Sequence, residues 1–393
     1  MKILFWLSIG MDRRTPSEHL LTDMVEALYR SGHTVHVLQK NTGGALGILP
    51  KRMLELGVET TSIKCSTPLK INLAGRFMTD VMYVIKCIKW LKKNDEFDRV
   101  FVQSSNVAGI QTRVLRYVQK HTPVIFNVQD IFPENAVYSG KMKKNGLLYR
   151  CFSFMQRHAY RYATKIITIS EDMKDQLIEI GTPSDKIEVV YNWSYRDAMY
   201  DPKEINYNCL GDMIDRRKFN VVYAGNIGLM QHVEVLIRTA AKMKTQKDIC
   251  FHVIGDGMYR KKLERLAREL QTDNVTFHDM MGADCAPAIY SASDVNIIPL
   301  AENIYRTALP SKTATCLACG KPIIFAIGKE SKFGKRVCGQ ADARLVASND
   351  VDGLCVAIKE IKQSTKAGDN QTFFMGSFMR SENSRRYAEI ITQ

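Results

Sequence analysis

The sequence predicts an α/β fold with two doubly wound parallel-sheet domains that face each other across a cleft. Strand and helix patterns alternate from the first residues, break over the polar, irregular stretch 191–218, and then restart. Continuous apolar strands between helices are typical of a parallel sheet covered on both faces. Because a chain of 393 residues has room for two such cores, residues 1–195 and 216–375 are predicted to form the two domains.

The first domain begins with an apolar strand. The apolar run in MKILFWLSIG is only about seven residues long, and no small-residue cleavage site follows, so a strand is favoured over a signal peptide. A helix with one apolar face is predicted over residues 17–31, and Gly32 ends it. Further strands are predicted over Thr34–Gln39, Asp98–Gln103, Pro123–Gln129 and Lys165–Ser170. No run of about 18 apolar residues occurs, so no transmembrane helix is expected.

The second domain repeats this alternation. Strands are predicted over Phe219–Ala224, Ile249–Ile254, Val275–His278, Val295–Pro299 and Pro322–Ala326. The helices that separate them are predicted over Val233–Met243, Tyr259–Leu270, Ala286–Ser291 and Lys312–Cys319. Ligands of such sheets bind outside the carboxyl ends of the strands, so site residues are expected in the turns that follow the strands.

The chain is basic, with 55 Lys and Arg against 41 Asp and Glu and a formal net charge of +14. Residues 1–200 hold 28 basic against 19 acidic side chains, and the remainder holds 27 against 22, so the first half is the more basic. This balance favours an anionic partner, such as a phosphorylated ligand or an acidic membrane face. No nucleic-acid partner is expected, because the charge is dispersed and no base-reading motif of aromatic and basic residues is present.

The ten cysteines form no even framework, which indicates buried side chains in a reducing cytoplasm. Cys316 and Cys319 make a C-x-x-C without a second pair or a histidine spacing, so packing is favoured over a zinc site. No metal and no cofactor is expected.

Two glycine-rich turns follow consecutive strands of the second domain, GNIG at 225–228 and GDG at 255–257. Glycine lets the backbone approach a ligand closely, and the amides at the start of the following helix can bind phosphate. The alternative is that each turn needs glycine for its own backbone. Two such turns at one sheet edge favour a diphosphate site. The residues expected around it are Gly225, Asn226, Gly228, Gly255, Asp256 and Gly257.

A third candidate element is the start of the helix predicted at residue 312. Pro310 and Ser311 are good entry residues for a helix. First-turn amides, the Ser311 hydroxyl and the Lys312 ammonium would therefore converge, and this combination suits an anion. The alternative is a solvent-exposed helix end.

Nine segments follow one another along the chain. The first half contains SGHTV, NVQDIFPE, TISEDM, KIEVV and NW, and the second half contains YAGNIGLMQHVEVLI, VIGDG, SDVNIIPL and PSKTATCLACGKPII. In this order, these segments resemble the group 1 family of retaining glycosyltransferases, in the subgroup that assembles bacterial capsule, exopolysaccharide and O-antigen. Most of residues 1–340 are covered.

The resemblance implies a GT-B fold. It implies a nucleotide-sugar donor, with UDP as the expected nucleotide, on the second domain, and a saccharide or lipid-linked acceptor on the first. It implies no bound metal, so basic side chains and helix ends would stabilise the departing diphosphate. Asp130 and Glu134 are the acceptor-side candidates for acid/base catalysis, and Thr315 joins the donor site. Residues 376–393 are expected to pack as a helix on the first domain.

The sequence departs from the family at the donor site. Many members carry two Glu residues eight positions apart, where this chain has Thr307 and Thr315. The second Glu typically holds the ribose hydroxyls, and Glu302 is the alternative partner here. Many members also have a Lys after the first glycine-rich turn, where this chain has Gln231 and His232.

Two segments of the first domain have two interpretations each. Residues 76–93 predict an amphipathic helix with a basic face, and residues 149–162 are rich in aromatic side chains and Arg. Each either packs against the first sheet or rests on anionic lipid at the inner face of the plasma membrane, near a lipid-linked acceptor.

The resemblance therefore implies a cytoplasmic, retaining glycosyltransferase of the hexosyltransferase type in bacterial surface polysaccharide biosynthesis. Two alternatives stay open. One is a non-catalytic GT-B partner or regulatory subunit of a polysaccharide assembly system, which has lost the Glu pair. The other is a nucleotide-sugar epimerase, which needs no separate acceptor.

Overall fold

The computed structural model describes residues 1–11, 18–41, 49–65, 73–364 and 369–393. They form two compact units, one of Met1–Asn192 with Arg380–Gln393 and the other of Trp193–Met379. Each unit holds a parallel sheet flanked by helices, which confirms the predicted fold class. The irregular stretch between the two sheets lies mostly in the second unit and includes a 3-10 helix at Asn208–Leu210.

The described part of the first unit contains a seven-stranded sheet in the order β3-β2-β1-β4-β5-β6-β7. Its strands are β1 (Lys2–Trp6), β2 (Thr34–Asn41), β3 (Glu59–Lys64), β4 (Arg99–Gln103), β5 (Val124–Val128), β6 (Lys165–Thr168) and β7 (Ile187–Val189). The strand order reverses between β1 and β4, which places the topological switch point at their carboxyl ends.

The helices of this unit are α1 (Glu18–Arg30), α2 (Lys51–Glu55), α3 (Leu73–Leu91), α4 (Ala108–Val118), α5 (Glu134–Tyr138), α6 (Leu147–Tyr162) and α7 (Glu171–Glu179). Ser17, the predicted first residue of α1, lies outside the described residues. The helix predicted at 76–93 is α3, and Phe77 of this helix meets Phe152 of α6 edge to face, with ring centroids 5.2 Å apart. The helices α3 and α6 therefore share one side of the sheet.

In the second unit, the described residues contain a six-stranded sheet in the order β10-β9-β8-β11-β12-β13. Its strands are β8 (Phe219–Ala224), β9 (Ile249–Ile254), β10 (Val275–His278), β11 (Val295–Pro299), β12 (Ile323–Ala326) and β13 (Ala343–Val346). Its helices are α8 (Glu234–Lys242), α9 (Arg260–Glu269), α10 (Ala286–Ala292), α11 (Lys312–Ala318), α12 (Lys332–Gln340), α13 (Val351–Gln363) and α14 (Asn370–Ser377). Here the switch point lies between β8 and β11.

The last helix, α15 (Arg380–Thr392), belongs to the first unit and packs against α1. The helical segment expected from residue 376 is divided, because α14 ends at Ser377 and the buried Phe378 separates the two helices. The ring of Phe378 packs edge-on against Phe333 and Phe373 of the second unit. The chain therefore leaves the core of the second unit at this aromatic cluster.

Candidate functional site

A cavity of about 440 Å³ lies at the switch point of the first sheet. Its polar lining comes from the ends of β1, β2 and β4 and from α3. The lining residues are Leu7, Ser8, Ile9, Gly10, Lys40, Asp80, Gln103, Ser104, Ser105 and Asn106. The Lys40 ammonium donates to the Asp80 carboxylate at 2.6 Å, and Lys40 is only 8% exposed. An ion pair thus forms one wall of a cavity rich in hydroxyl and amide groups.

Asp130 follows β5 and adjoins this cavity through Ser104. The Ser104 hydroxyl oxygen accepts hydrogen bonds from the backbone N–H groups of Gln129 (3.0 Å) and Asp130 (3.4 Å). The Asp130 side chain reaches solvent. Surrounding protein atoms nevertheless displace enough water to raise its pKa to about 6. A carboxyl with this pKa exchanges protons near neutral pH, as a general base must.

Glu134 has different surroundings from Asp130. It is buried at the start of α5, and its Oε1 accepts a hydrogen bond from the Tyr149 hydroxyl at 3.2 Å. Its Oε2 has no hydrogen-bond partner among the described residues. Burial raises the pKa of the Glu134 carboxyl. This geometry favours a role in joining α5 to α6 over proton transfer at an open site.

A buried polar network holds the end of β5, just before Asp130. Tyr387 of α15 donates its hydroxyl hydrogen to the Asn127 side chain at 3.1 Å. The Gln129 side-chain amide donates to the same Asn127 oxygen at 3.1 Å and accepts from Asn192 at 2.7 Å. The last helix of the chain therefore fixes the loop that carries Asp130.

In the second unit, the two glycine-rich turns pack against each other. A Cβ on Gly255 would lie 1.9 Å from the Gly225 carbonyl oxygen, and one on Gly257 would lie 2.3 Å from the Ile227 carbonyl oxygen. The Gly225 amide donates to Ile254 and the Gly255 amide to His278. These contacts support the alternative left open above, that the turns need glycine at 255 and 257 for their own backbone, and ligand approach at these turns stays a prediction.

Two further amides of these turns have side-chain partners. Gly228 N–H donates to the Gln231 side-chain carbonyl at 3.1 Å, and Gln231 accepts a second hydrogen bond from Asn226 at 3.2 Å. Gly257 N–H donates to the Asp256 carboxylate at 2.7 Å. Both contacts come from half-exposed or exposed side chains, so a ligand can displace them without unfolding the turn.

Lys312 begins α11 and reaches back to the end of β8. Its ammonium donates to the Ala224 carbonyl at 2.7 Å, lies 3.9 Å from the centre of the Tyr223 ring, and would lie 3.0 Å from a Cβ on Gly225. Burial lowers the pKa of Lys312 to about 8. The structure therefore places Lys312 beside the first glycine-rich turn, which the sequence analysis assigned to the same candidate site.

The other predicted donor residues lie along the same segment. Ser311 is exposed and precedes α11, while Thr315 is half-exposed one turn along the helix. Thr307 is fully buried, and its hydroxyl donates to the Ile304 carbonyl at 3.1 Å. Glu302 lines a separate cavity of about 420 Å³ at the ends of β11, β12 and β13. The Thr307 hydroxyl, at the position where many family members carry the first Glu, thus has a structural role.

Several site residues were not predicted from the sequence. Lys40 and Asp80 are 40 residues apart, and no motif joins them. Tyr387 lies 260 residues from Asn127. A lysine inside a strand pattern was the available signal for Lys40, because a buried charge needs a partner.

Cys316 in α11 and Cys319, the residue that follows this helix, are buried free thiols, and burial raises the pKa of Cys319 to about 11. Across the described residues, no cluster of three or more potential ligands could hold a metal ion. No helix in the same part of the chain is long and apolar enough to cross a membrane.

Comparison with known families matches both halves of the chain. Residues 17–193 match the Glycosyltransferase Family 4 model, and residues 218–364 match the model Glycosyl transferases group 1. The boundary between the two matches lies in the irregular stretch between the two sheets.

Two curated bacterial proteins are similar to the chain. WbjE of Pseudomonas aeruginosa, which is named as a glycosyltransferase, is 24% identical over 71% of the chain and 68% of its own length. WcaI of Escherichia coli (strain K12), whose name places it in colanic acid biosynthesis, is 23% identical over 49% of the chain. The match spans about half (47%) of WcaI.

Among solved structures, HepE of Anabaena, crystallised with UDP and glucose, superposes with a TM-score of 0.72 at 17% identity. The superposition covers 100% of both chains. At this identity the likeness shows the fold, which is GT-B, as the sequence predicted.

Proposed function

The chain belongs to the group 1 glycosyltransferases, with a family 4 domain ahead of the group 1 domain, and from this premise we propose its reaction. It transfers a sugar from a nucleotide-sugar, with UDP as the nucleotide, to a saccharide or lipid-linked saccharide acceptor. The reaction proceeds with retention of configuration and is hexosyl transfer. The process is the biosynthesis of bacterial surface polysaccharide.

The observation that carries the donor proposal is the Lys312 ammonium at the switch point of the second sheet. It lies beside Gly225 and against the Tyr223 ring, where it would meet the charge that develops on a departing diphosphate. The crystal structure of HepE with UDP and glucose supports UDP as the nucleotide. The name of WcaI, which mentions colanic acid biosynthesis, supports the polysaccharide setting.

The acceptor side of the proposal rests on Asp130 and the neighbouring cavity. Hydroxyl and amide groups suit the hydroxyls of a sugar, and the Lys40–Asp80 pair can both donate to and accept from them. Asp130, which ionises near pH 6, would take the proton of the attacking hydroxyl. Glu134, one of the two sequence candidates, would position the loop.

The same unit has a surface that suits anionic lipid. The helices α3 and α6 and the segment before α6 carry both exposed apolar and exposed basic side chains. The apolar members are Met78, Met82, Ile85, Leu147, Leu148 and Phe154, and the basic ones are Lys86, Lys89, Lys141, Lys143, Lys144, Arg150 and Arg157. Leu147 is 84% exposed, and such exposure on a basic helix is typical of membrane-surface binding. This face would bring the enzyme to a lipid-linked acceptor at the cytoplasmic leaflet.

A thermal-shift panel of nucleotide-sugars and nucleoside diphosphates tests the donor proposal. A ligand at about a hundredfold excess over its Kd stabilises the folded chain by about 2.7 kcal/mol. We expect UDP and a UDP-sugar to raise Tm, and uridine alone to raise it far less because it lacks the diphosphate. A panel in which no nucleotide raises Tm would contradict the proposal.

A further inference from the structure

Gln231 covers the first glycine-rich turn of the second unit. Its side-chain oxygen accepts hydrogen bonds from the Gly228 amide (3.1 Å) and from the Asn226 side chain (3.2 Å). Because both partners are N–H donors, the network itself fixes which end of the Gln231 amide faces the turn. A Cβ on Gly228 would lie 2.7 Å from this oxygen, so glycine at 228 allows the contact.

The arrangement around Gln231 matches what a phosphate oxygen requires. Two N–H donors converge on one oxygen atom, as they do in backbone anion sites. The Tyr223 hydroxyl donates to the Asn226 carbonyl, and the Lys312 ammonium lies over the same Tyr223 ring. The Lys312 ammonium and two neutral N–H donors, those of Gly228 and Asn226, therefore lie at this turn. The neutral side-chain carbonyl oxygen of Gln231 accepts hydrogen bonds from both N–H donors.

The second glycine-rich turn does not offer the same site. There the Gly257 amide donates to the Asp256 carboxylate at 2.7 Å. The Asp256 side chain is exposed, and its negative charge would repel an approaching diphosphate. The Arg260 guanidinium also lies at this turn and donates to the Gly255 carbonyl at 2.7 Å, so the second turn holds a charged acceptor and a cation, whereas the cover of the first turn is neutral.

We propose that Gln231 is an intramolecular stand-in for a phosphate oxygen, and that a nucleoside diphosphate displaces its side chain from Gly228 and Asn226 on binding. This inference rests on the proposed donor site in the second unit. Displacement costs the chain two hydrogen bonds before the ligand replaces them. Gln231 therefore lowers the affinity for the donor and for the released nucleoside diphosphate alike, which favours product release.

The test is calorimetric titration of the full chain with UDP and, separately, with inorganic pyrophosphate at pH 7. We expect Gln231→Ala to raise the affinity for both probes about two- to tenfold, since one or two modest hydrogen bonds no longer compete. Gln231→Glu should lower both affinities, because a carboxylate would hold the same donors more strongly and repel the probe. Gln340→Ala, at the exposed end of α12, is the matched control and should leave both affinities unchanged.

The outcomes separate this inference from the proposed function. If the parent binds UDP and Gln231→Ala binds it equally or more weakly, the stand-in role is wrong and the donor site stands. If the parent binds neither probe, the donor site and the inference both fail. Hydrogen exchange of the Gly228 amide without ligand is a second readout. Exchange should be faster in Gln231→Ala than in the parent, and equal rates would overturn the contact itself.

Discussion

Lys312 combines three properties. It is a helix-start residue, a partner of the strand end at Ala224, and a cation held over an aromatic ring. Burial disfavours its charged form and lowers its pKa to about 8. Its charge at the donor site therefore changes near physiological pH, unlike that of an arginine.

The pH dependence of UDP binding follows from this pKa. Below about pH 8 the Lys312 ammonium is charged and attracts the diphosphate, and above it the charge is lost. We expect the Kd for UDP to rise about tenfold between pH 7 and 9, measured by calorimetry. Lys312→Arg should bind UDP with little change over this range.

Lys312→Ala should weaken the binding of UDP ten- to a hundredfold at pH 7, since a charge-assisted hydrogen bond is worth about 1.5–3 kcal/mol. Equal affinity in Lys312→Ala would remove Lys312 from the donor site.

Asp130 gives the matching prediction on the acceptor side. Its pKa of about 6 means that the carboxylate form, which accepts a proton, dominates above pH 6 and is lost below it. Turnover should therefore fall as the pH drops through 6. Asp130→Asn should lower kcat by about 10²- to 10⁴-fold while the Kd for UDP stays within about twofold. Unchanged turnover in Asp130→Asn would assign the residue to the structure of its loop.

At the scale of elements, the two glycine-rich turns pack together as one unit at the carboxyl ends of β8 and β9. The close approach of Gly255 to the Gly225 carbonyl leaves no space for a side chain, and Gly255 has φ of +145°. Both features constrain residue 255 independently of any ligand. The turns are thus the rigid base against which Lys312 and Gln231 are placed.

Gly255→Ala should destabilise the second unit by about 3 kcal/mol or more, because a methyl group would overlap backbone and occupy a strained conformation. The midpoint of urea unfolding of this unit measures the effect. Gly339→Ala in α12, where nothing lies within 4 Å of the added Cβ, should instead stabilise by about 0.5–1 kcal/mol. A Gly255→Ala variant as stable as the parent would contradict the packing argument.

Most of the strands that were predicted accurately contain apolar runs, although the half-exposed strand β10 was also predicted with its observed bounds. The strands β5, β8, β9 and β11 are buried along most of their lengths and were predicted to within one residue at each end. The first strand, predicted over KILFWLSIG, ends earlier, at Trp6. β3, ETTSIK, lies at a sheet edge with alternate residues exposed, so its sequence has no apolar run. β3 forms because β2 offers it a hydrogen-bonding partner in the folded sheet, and the sequence of β3 alone does not predict that pairing.

The residues of the candidate site were likewise predicted only where a local sequence pattern marks them. Lys312 and the glycine-rich turns were found because each is a local pattern at a strand or helix end. The backbone packing that requires glycine at 255 and 257 was not predicted, because the second turn approaches the first only in the folded sheet. The Lys40–Asp80 pair and the contact of Tyr387 with Asn127 are likewise products of tertiary structure. The sequence predicts which residues lie near strand ends, but it does not predict which distant residues form hydrogen bonds or ion pairs with them.

At the scale of the whole molecule, charge is distributed unevenly between the two halves of the chain. The exposed apolar and basic side chains of α3 and α6 lie in the more basic half. Each Lys or Arg near an anionic surface contributes about 1 kcal/mol. The first unit is therefore the one expected to meet a membrane.

Liposome flotation measures this association. The full chain should float with anionic vesicles and not with neutral ones, and binding should weaken as salt rises. The double variant Leu147→Ser and Leu148→Ser should reduce flotation severalfold. Val356→Ser, an exposed apolar site in the second unit, should leave it unchanged. Equal flotation with anionic and neutral vesicles, or none with either, would contradict membrane binding through this face.

The central claim is that the chain uses a nucleotide-sugar as a donor through Lys312. The most direct measurement incubates the full chain with UDP-hexoses and a bacterial lipid extract and quantifies both released UDP and the sugar products by NMR. We expect UDP to be released with at least one donor, and Lys312→Ala to release it at least tenfold more slowly. Release of no UDP from any donor, formation of an epimer without UDP, or equal rates for parent and variant would contradict the claim.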